Sequence, residues 1–124
     1  MGKIFALALG SLAGGFARYY LAGFVSRVFG TNFPHGTLAV NLTGCFLIGF
    51  FSSVSDGKFL MSPEARLLLM VGFCGAFTTF STLMLETANL LKGGEMFQAS
   101  LNIALSFILG FVVFKIGMSL ARLI

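Results

Sequence analysis

Apolar residues run along this chain in four long blocks, at about 3–29, 35–53, 63–91 and 97–120, separated by three short polar intervals. A helix needs roughly 20 mostly apolar residues to cross a bilayer, and each block is near or above that length. Period-two alternation is nowhere sustained, which argues against the strands of a membrane β-barrel. The intervals carry turn chemistry. Gly30-Thr31-Asn32-Phe33-Pro34 closes the first block, and Leu91-Lys92-Gly93-Gly94-Glu95 closes the third. Between the second and third stand Ser55-Asp56-Gly57-Lys58 and Met61-Ser62-Pro63-Glu64, where Ser62 suits an N-cap and Pro63 the first helical turn. The pattern predicts an all-α membrane protein in which residues 1–124 form one domain of four transmembrane helices.

The polar residues inside the blocks say more than those between them. From Leu67 to Leu85 the third block has no charge. Yet Gly72-Phe73-Cys74-Gly75-Ala76-Phe77-Thr78-Thr79-Phe80-Ser81-Thr82 sets four hydroxyls and two glycines near its centre. Lipid offers no hydrogen-bond partner there, so such groups either line a path or bond back to a carbonyl four residues earlier. Back-bonding accounts well for one threonine; four hydroxyls within five positions favour a lining role. On a continuous helix Gly75, Thr78, Thr82 and Glu86 share a face, with Ser81 beside it and Phe73, Phe77 and Phe80 on an adjoining face. Glycine and β-hydroxyl residues also weaken a helix, so the third one is expected to be broken near its middle, exposing backbone groups of the kind that bind ions at membrane depth. Asn41, in the second block, admits two roles: an interhelical hydrogen bond worth about 1 kcal/mol, or the lining of a polar path.

Composition narrows the classes. The chain is 57% hydrophobic and 10% charged, with a mean hydropathy of +0.98. A small soluble domain must cover itself with more polar surface than this. No soluble catalytic body is left over, and the lone His35, beside Pro34, suits a helix start, so no enzyme is expected. The net charge of +4 forms no basic cluster, so no nucleic-acid partner is expected. Cys45 and Cys74 fall inside apolar blocks and read as small buried hydrophobes. Met1–Gly15 has the Lys3-then-apolar start of a secretory signal, but further spans follow, and it is read as the start of the first transmembrane helix.

Four helices place both ends of the chain on one side, with Lys3, Lys58, Arg66 and Arg122, against Arg27 and Lys92 on the other. This weak positive-inside bias gives cytoplasmic termini and leaves insertion in both orientations open. Gly10 and Gly14, and again Ser11 and Gly15, have small-xxx-small spacing, and Ala6, Gly10, Gly14 and Arg18 form one stripe. One such chain is too small to enclose an aqueous path, and its small-residue faces call for a homodimer or larger assembly.

Which solute would such a path carry? Hydroxyls and Asn41 serve either sign of ion. Aromatic ring edges carry partial positive charge, and Arg18 adds more. No acid lies in the first, second or fourth block, and Glu86 sits towards the end of the third. The balance leans towards a small anion.

Three stretches then acquire a common meaning. Gly14-Gly15-Phe16-Ala17-Arg18-Tyr19, Gly36-Thr37-Leu38-Ala39-Val40-Asn41-Leu42-Thr43-Gly44 with Gly49, and the Gly72–Thr82 stretch resemble the Fluc/CrcB fluoride channels, over essentially the whole chain. The resemblance implies a passive, fluoride-selective, multi-pass channel of the bacterial inner membrane, built as an antiparallel, dual-topology homodimer with two pores. It implies a structural Na+ at the dimer interface, held by backbone carbonyls of Gly75 and Thr78 from both subunits. Carried over to this sequence, the pore residues are Asn41, Phe80, Ser81, Thr82 and Ser106, with Glu86 at the end of the polar track and Arg18 at the anion vestibule. Where the family has a second pore phenylalanine, this chain has Leu83. Either one aromatic suffices here or conduction is altered. The rival class is a small multidrug or guanidinium exporter, also four-helical; its proton-coupled exchange needs a carboxylate in the first span, where this chain has only Arg18. A packing subunit without transport would have no use for the Thr78–Thr82 cluster beside Asn41.

Overall fold

The four apolar blocks become four helical spans, Gly2–Phe29, His35–Asp56, Pro63–Lys92 and Met96–Ala121, each long and apolar enough to cross a membrane. The computed structural model describes residues 1–57 and 61–124, and no strand occurs among the described residues. Lys58, counted above among the loop charges, lies outside the described residues.

The first two spans are single helices, α1 (Gly2–Phe29) and α2 (His35–Asp56). Gly30, at φ 87°, takes the chain out of α1, and α2 begins directly after Pro34. The third span is composite. It opens with the short α3 (Pro63–Arg66), whose first turn is closed by the Ala65 N–H donating to Ser62 Oγ at 3.1 Å. A π-helical stretch, Leu67–Cys74, follows, and then α4 (Gly75–Phe77). Thr78 (φ −87°, ψ 158°) and Thr79 (φ −150°, ψ 116°) are extended, and the chain resumes as α5 (Phe80–Lys92). The fourth span is α6 (Met96–Ala121).

The spans pack through backbone proximity rather than large side chains. The α1 stripe predicted from Ala6, Gly10 and Gly14 is buried and lies against the π-helical stretch. A Cβ on Gly10 or Gly14 would come within 3.0 Å of the Phe73 backbone. In lipid, where the hydrophobic effect does not drive helices together, such close approach supplies dispersion contacts in its place. The other main contact pairs α2 with α6, and α5 also lies along α6. Apolar core side chains are few: Val40, Cys74, Phe77, Leu83 and three alanines. Large hydrophobics such as Phe16, Phe24, Phe107 and Phe111 are exposed, as suits a lipid-facing surface.

Candidate functional site

The site is organised by one side chain gripping one backbone unit. The Asn41 carboxamide donates from Nδ2 to the Thr79 carbonyl at 3.0 Å and accepts the Thr79 N–H on Oδ1 at 2.8 Å. A residue in extended conformation at mid-span has no helical partner for either group, and the carboxamide satisfies both. Of the two roles open to Asn41 from sequence, the interhelical hydrogen bond is present, and the second N–H of Nδ2 stays available to a ligand.

The grip changes what surrounds it. In an uninterrupted helix the Thr79 N–H would donate to the Gly75 carbonyl; here Asn41 takes it. The Thr82 N–H, which would reach back to the Thr78 carbonyl, donates instead to Thr79 Oγ1 at 3.2 Å. The carbonyls of Gly75 and Thr78 are therefore free acceptors. Gly75 is exposed, with open space where a side chain would stand. Neutral oxygen donors of this kind fit a hard monovalent cation. Among the described residues no cluster of three or more His, Cys, Asp or Glu offers a different kind of metal site.

The hydroxyls divide between the two roles weighed above. Thr78 Oγ1 donates to the Cys74 carbonyl at 2.9 Å, four residues earlier, and its methyl group packs where Gly44 leaves room. Thr79 Oγ1 instead donates to Thr82 Oγ1 at 3.0 Å and lies 3.4 Å from Ser81 Oγ, forming a hydroxyl cluster at the start of α5. The face drawn on a continuous helix is thus re-sorted, because the extended residues and the π-helical stretch both change the rotation per residue. Thr79 joins Thr82 and Glu86, while Thr78 turns inward. Phe73 and Phe77 stack at 5.4 Å between centroids, and Phe80 stands apart, exposed on the protomer surface beside Ser81.

Thr79, Thr82 and Glu86 open onto a cavity of about 420 Å³, shared with Arg18 and Ser26 of α1 and Thr37 of α2. Thr37 Oγ1 donates to Glu86 Oε1 at 2.7 Å, while Glu86 Oε2 is buried without a partner. Arg18 shares the cavity but makes no ion pair with Glu86; among the described residues the one salt bridge is Arg66–Asp56, at 3.5 Å. The structure thus gathers Asn41, Thr82, Glu86 and Arg18 around one polar space.

Leu83, Ser106 and the aromatic positions are placed differently. Leu83 is buried, 4% exposed. Ser106 is half-buried on α6, its Oγ without a partner. His35 begins α2, with its ring centroid 5.6 Å from that of Phe29 and 5.1 Å from that of Phe33. Cys45 and Cys74 are free thiols. Sequence reasoning overlooked Thr37, although a threonine one turn before Asn41 on the same face was a usable sign.

An α-helical, multi-pass membrane protein with a polar centre made of hydroxyls, carboxamide and freed carbonyls is the class these observations define. The family model for the CrcB-like protein, Camphor Resistance (CrcB), matches residues 5–118. The chain is 44% identical to the fluoride-specific ion channel FluC of Maridesulfovibrio salexigens, covering all of this chain and 98% of that protein. It is 51% identical to the FluC of Chlorobium phaeobacteroides, over 92% of this chain and 88% of the relative. With the FluC of Chlorobaculum tepidum the identity is 49%, over 99% and 97%. The chain belongs to the CrcB family.

Proposed function

We infer that this chain is a fluoride-selective channel that lets F⁻ leave the cell passively across the bacterial inner membrane. It works as an antiparallel, dual-topology homodimer with two pores and a central structural Na⁺. The observation that carries the reading is the Asn41 clasp on Thr79, which presents a cluster of hydroxyls at mid-span in a chain akin to proteins named fluoride-specific channels. A dehydrating fluoride needs short, strong hydrogen-bond donors, and hydroxyls and carboxamide N–H groups supply them without a fixed charge that would trap the ion.

The third span acts in this reading as a broken membrane helix. Phe80 and Ser81 are exposed on a single protomer, and a hydroxyl at membrane depth is better placed facing a second copy and a pore than facing lipid. Phe80 offers its polarised ring edge there, and Ser81, Thr82 and Ser106 offer hydroxyls. The cavity with Arg18, Thr37 and Glu86 serves as the vestibule, where the guanidinium raises the local anion concentration. The freed carbonyls of Gly75 and Thr78, from both protomers, would hold the Na⁺, whose charge lets these dipoles converge at the dimer centre.

The direction of flow follows from weak-acid chemistry. Neutral hydrogen fluoride crosses lipid and dissociates in a neutral cytoplasm, and a negative-inside potential drives the anion out. The exporter alternative requires a carboxylate in the first span, and α1 has none. Fluoride efflux from liposomes holding the purified protein, with chloride as control, tests the reading. Rapid fluoride release with chloride retained is the expected result; equal release of both ions would overturn it.

A further inference from the structure

One group of buried polar atoms lies outside the site described above. On α6, Gln98, Asn102 and Ser106 stand four residues apart, on one face of the helix. Gln98 Oε1, Asn102 Oδ1 and Ser106 Oγ are all buried without a hydrogen-bond partner. Asn102 is the deepest, 1% exposed, yet its other end is firmly engaged. Its Nδ2 donates to Thr87 Oγ1 at 3.1 Å, and Thr87 Oγ1 donates to the Leu83 carbonyl at 2.7 Å. α5 therefore has two polar faces: Thr79, Thr82 and Glu86 towards the vestibule, and Thr87 towards α6.

A buried carboxamide oxygen with no donor is costly, and a fixed structural asparagine would not be left so. The relay beside it supplies a second arrangement. If the Thr87 hydroxyl swings from the Leu83 carbonyl to the carboxamide oxygen, Asn102 can turn end for end. Thr87 then donates where it had accepted, and the NH₂ group occupies the place of the orphaned oxygen. The Leu83 carbonyl loses only its extra side-chain bond, because within α5 it keeps the helical N–H partner. With nothing in the gap the first arrangement keeps two hydrogen bonds; with an anion there the second supplies it with N–H donors.

The geometry points to Asn102 as a further anion-contact residue, a carboxamide that turns its NH₂ group towards a passing fluoride while Thr87 changes from acceptor to donor. This rests on the fluoride-channel reading and adds to its path, beside Ser106, a donor that no sequence motif singled out.

The test compares fluoride efflux from liposomes for wild-type protein and for Asn102→Leu, Asn102→Asp, Thr87→Val and Thr87→Ser, with elution profile and unfolding temperature measured in detergent. Asn102→Leu and Asn102→Asp are expected to slow fluoride efflux about tenfold or more, as loss of a donor to an ion requires. Thr87→Val should slow it also, and Thr87→Ser, which keeps the hydroxyl, should restore it to within about twofold. Asn102→Leu conducting like wild type would show a packing role only and overturn the inference. Should Asn102→Leu fail to fold, equal efflux through Thr87→Val and Thr87→Ser overturns it instead. Failure of the wild-type protein itself to pass fluoride would remove the channel reading, a result distinct from either.

Discussion

Asn41 holds Thr79 by both of its main-chain groups, donating to the carbonyl at 3.0 Å and accepting the N–H at 2.8 Å. Aspartate has the same shape but no N–H, so Asn41→Asp leaves the Thr79 carbonyl unpaired and sets an acid beside the hydroxyl cluster. Losing a buried partner costs about 1–3 kcal/mol. A lower unfolding temperature and a drop in fluoride efflux of about tenfold or more are expected. Wild-type efflux in this variant would show that the clasp is not part of the pore.

Thr37 and Glu86 provide a second pair that can be tested without transport. The hydroxyl-to-carboxylate bond at 2.7 Å is the only hydrogen bond to that carboxylate among the described residues. Hydrogen bonds to charged groups contribute about 1.5–3 kcal/mol. Thr37→Val, Glu86→Leu and the double variant should therefore be non-additive in stability by about 1 kcal/mol or more. Additive shifts in the unfolding free energy would mean the two side chains are not coupled.

The seam between α1 and the third span predicts a contrast between glycines on one helix. A methyl group on Gly14 would overlap the Phe73 backbone, whereas one on Gly23 meets nothing within 4 Å. Gly14→Ala should lower stability by about 1–3 kcal/mol through overpacking, and Gly23→Ala should be neutral or stabilising by up to about 1 kcal/mol through helix propensity. Thermal unfolding of the two variants in detergent decides it; equal unfolding temperatures would contradict the close approach.

Leu83 stands where the family has a second pore phenylalanine, and it is buried. A phenylalanine introduced there must displace its neighbours, at a cost of about 1–3 kcal/mol. Leu83→Phe is expected to unfold at a lower temperature and to conduct no faster than wild type. A faster fluoride efflux would mean that the ring reaches the pore and that leucine is limiting.

Sodium dependence follows from the freed carbonyls. Exchanging Na⁺ for N-methylglucamine should lower the unfolding temperature, because an ion bound only by the folded protein stabilises it by mass action. Asn41→Leu hands the Thr79 N–H back to the Gly75 carbonyl and should weaken this sodium effect. Identical unfolding of the wild-type protein in the two cations would argue against the site.

The sequence made the four spans readable because lipid allows few alternatives to long apolar helices. It made the hydroxyl-rich stretch conspicuous for the same reason. It did not reveal which hydroxyl goes where. Thr78 and Thr79 are neighbours of identical chemistry, yet one bonds back to Cys74 and the other heads a cluster with Ser81 and Thr82. That choice is made by Asn41, 38 residues away in sequence, and no local periodicity encodes it. Nor did the wheel allow for the π-helical Leu67–Cys74, since apolar residues look alike at 3.6 or at wider spacing. Thr87 and Asn102 went unnoticed because each is unremarkable alone; only the packing of α5 on α6 makes them a pair.

The π-helical stretch also governs how this span tolerates gain or loss of residues. Removing one residue between Leu67 and Cys74, for instance Val71, could be absorbed by tightening the wide turn into ordinary α-helix, with the apolar length hardly altered. Everything downstream would then swing about the helix axis by about 100°. Thr79 would leave Asn41, and Gly75 would recover its helical partner. A span that still inserted would have lost its site, so the chain's function depends on the count of residues in a stretch whose individual side chains are largely interchangeable.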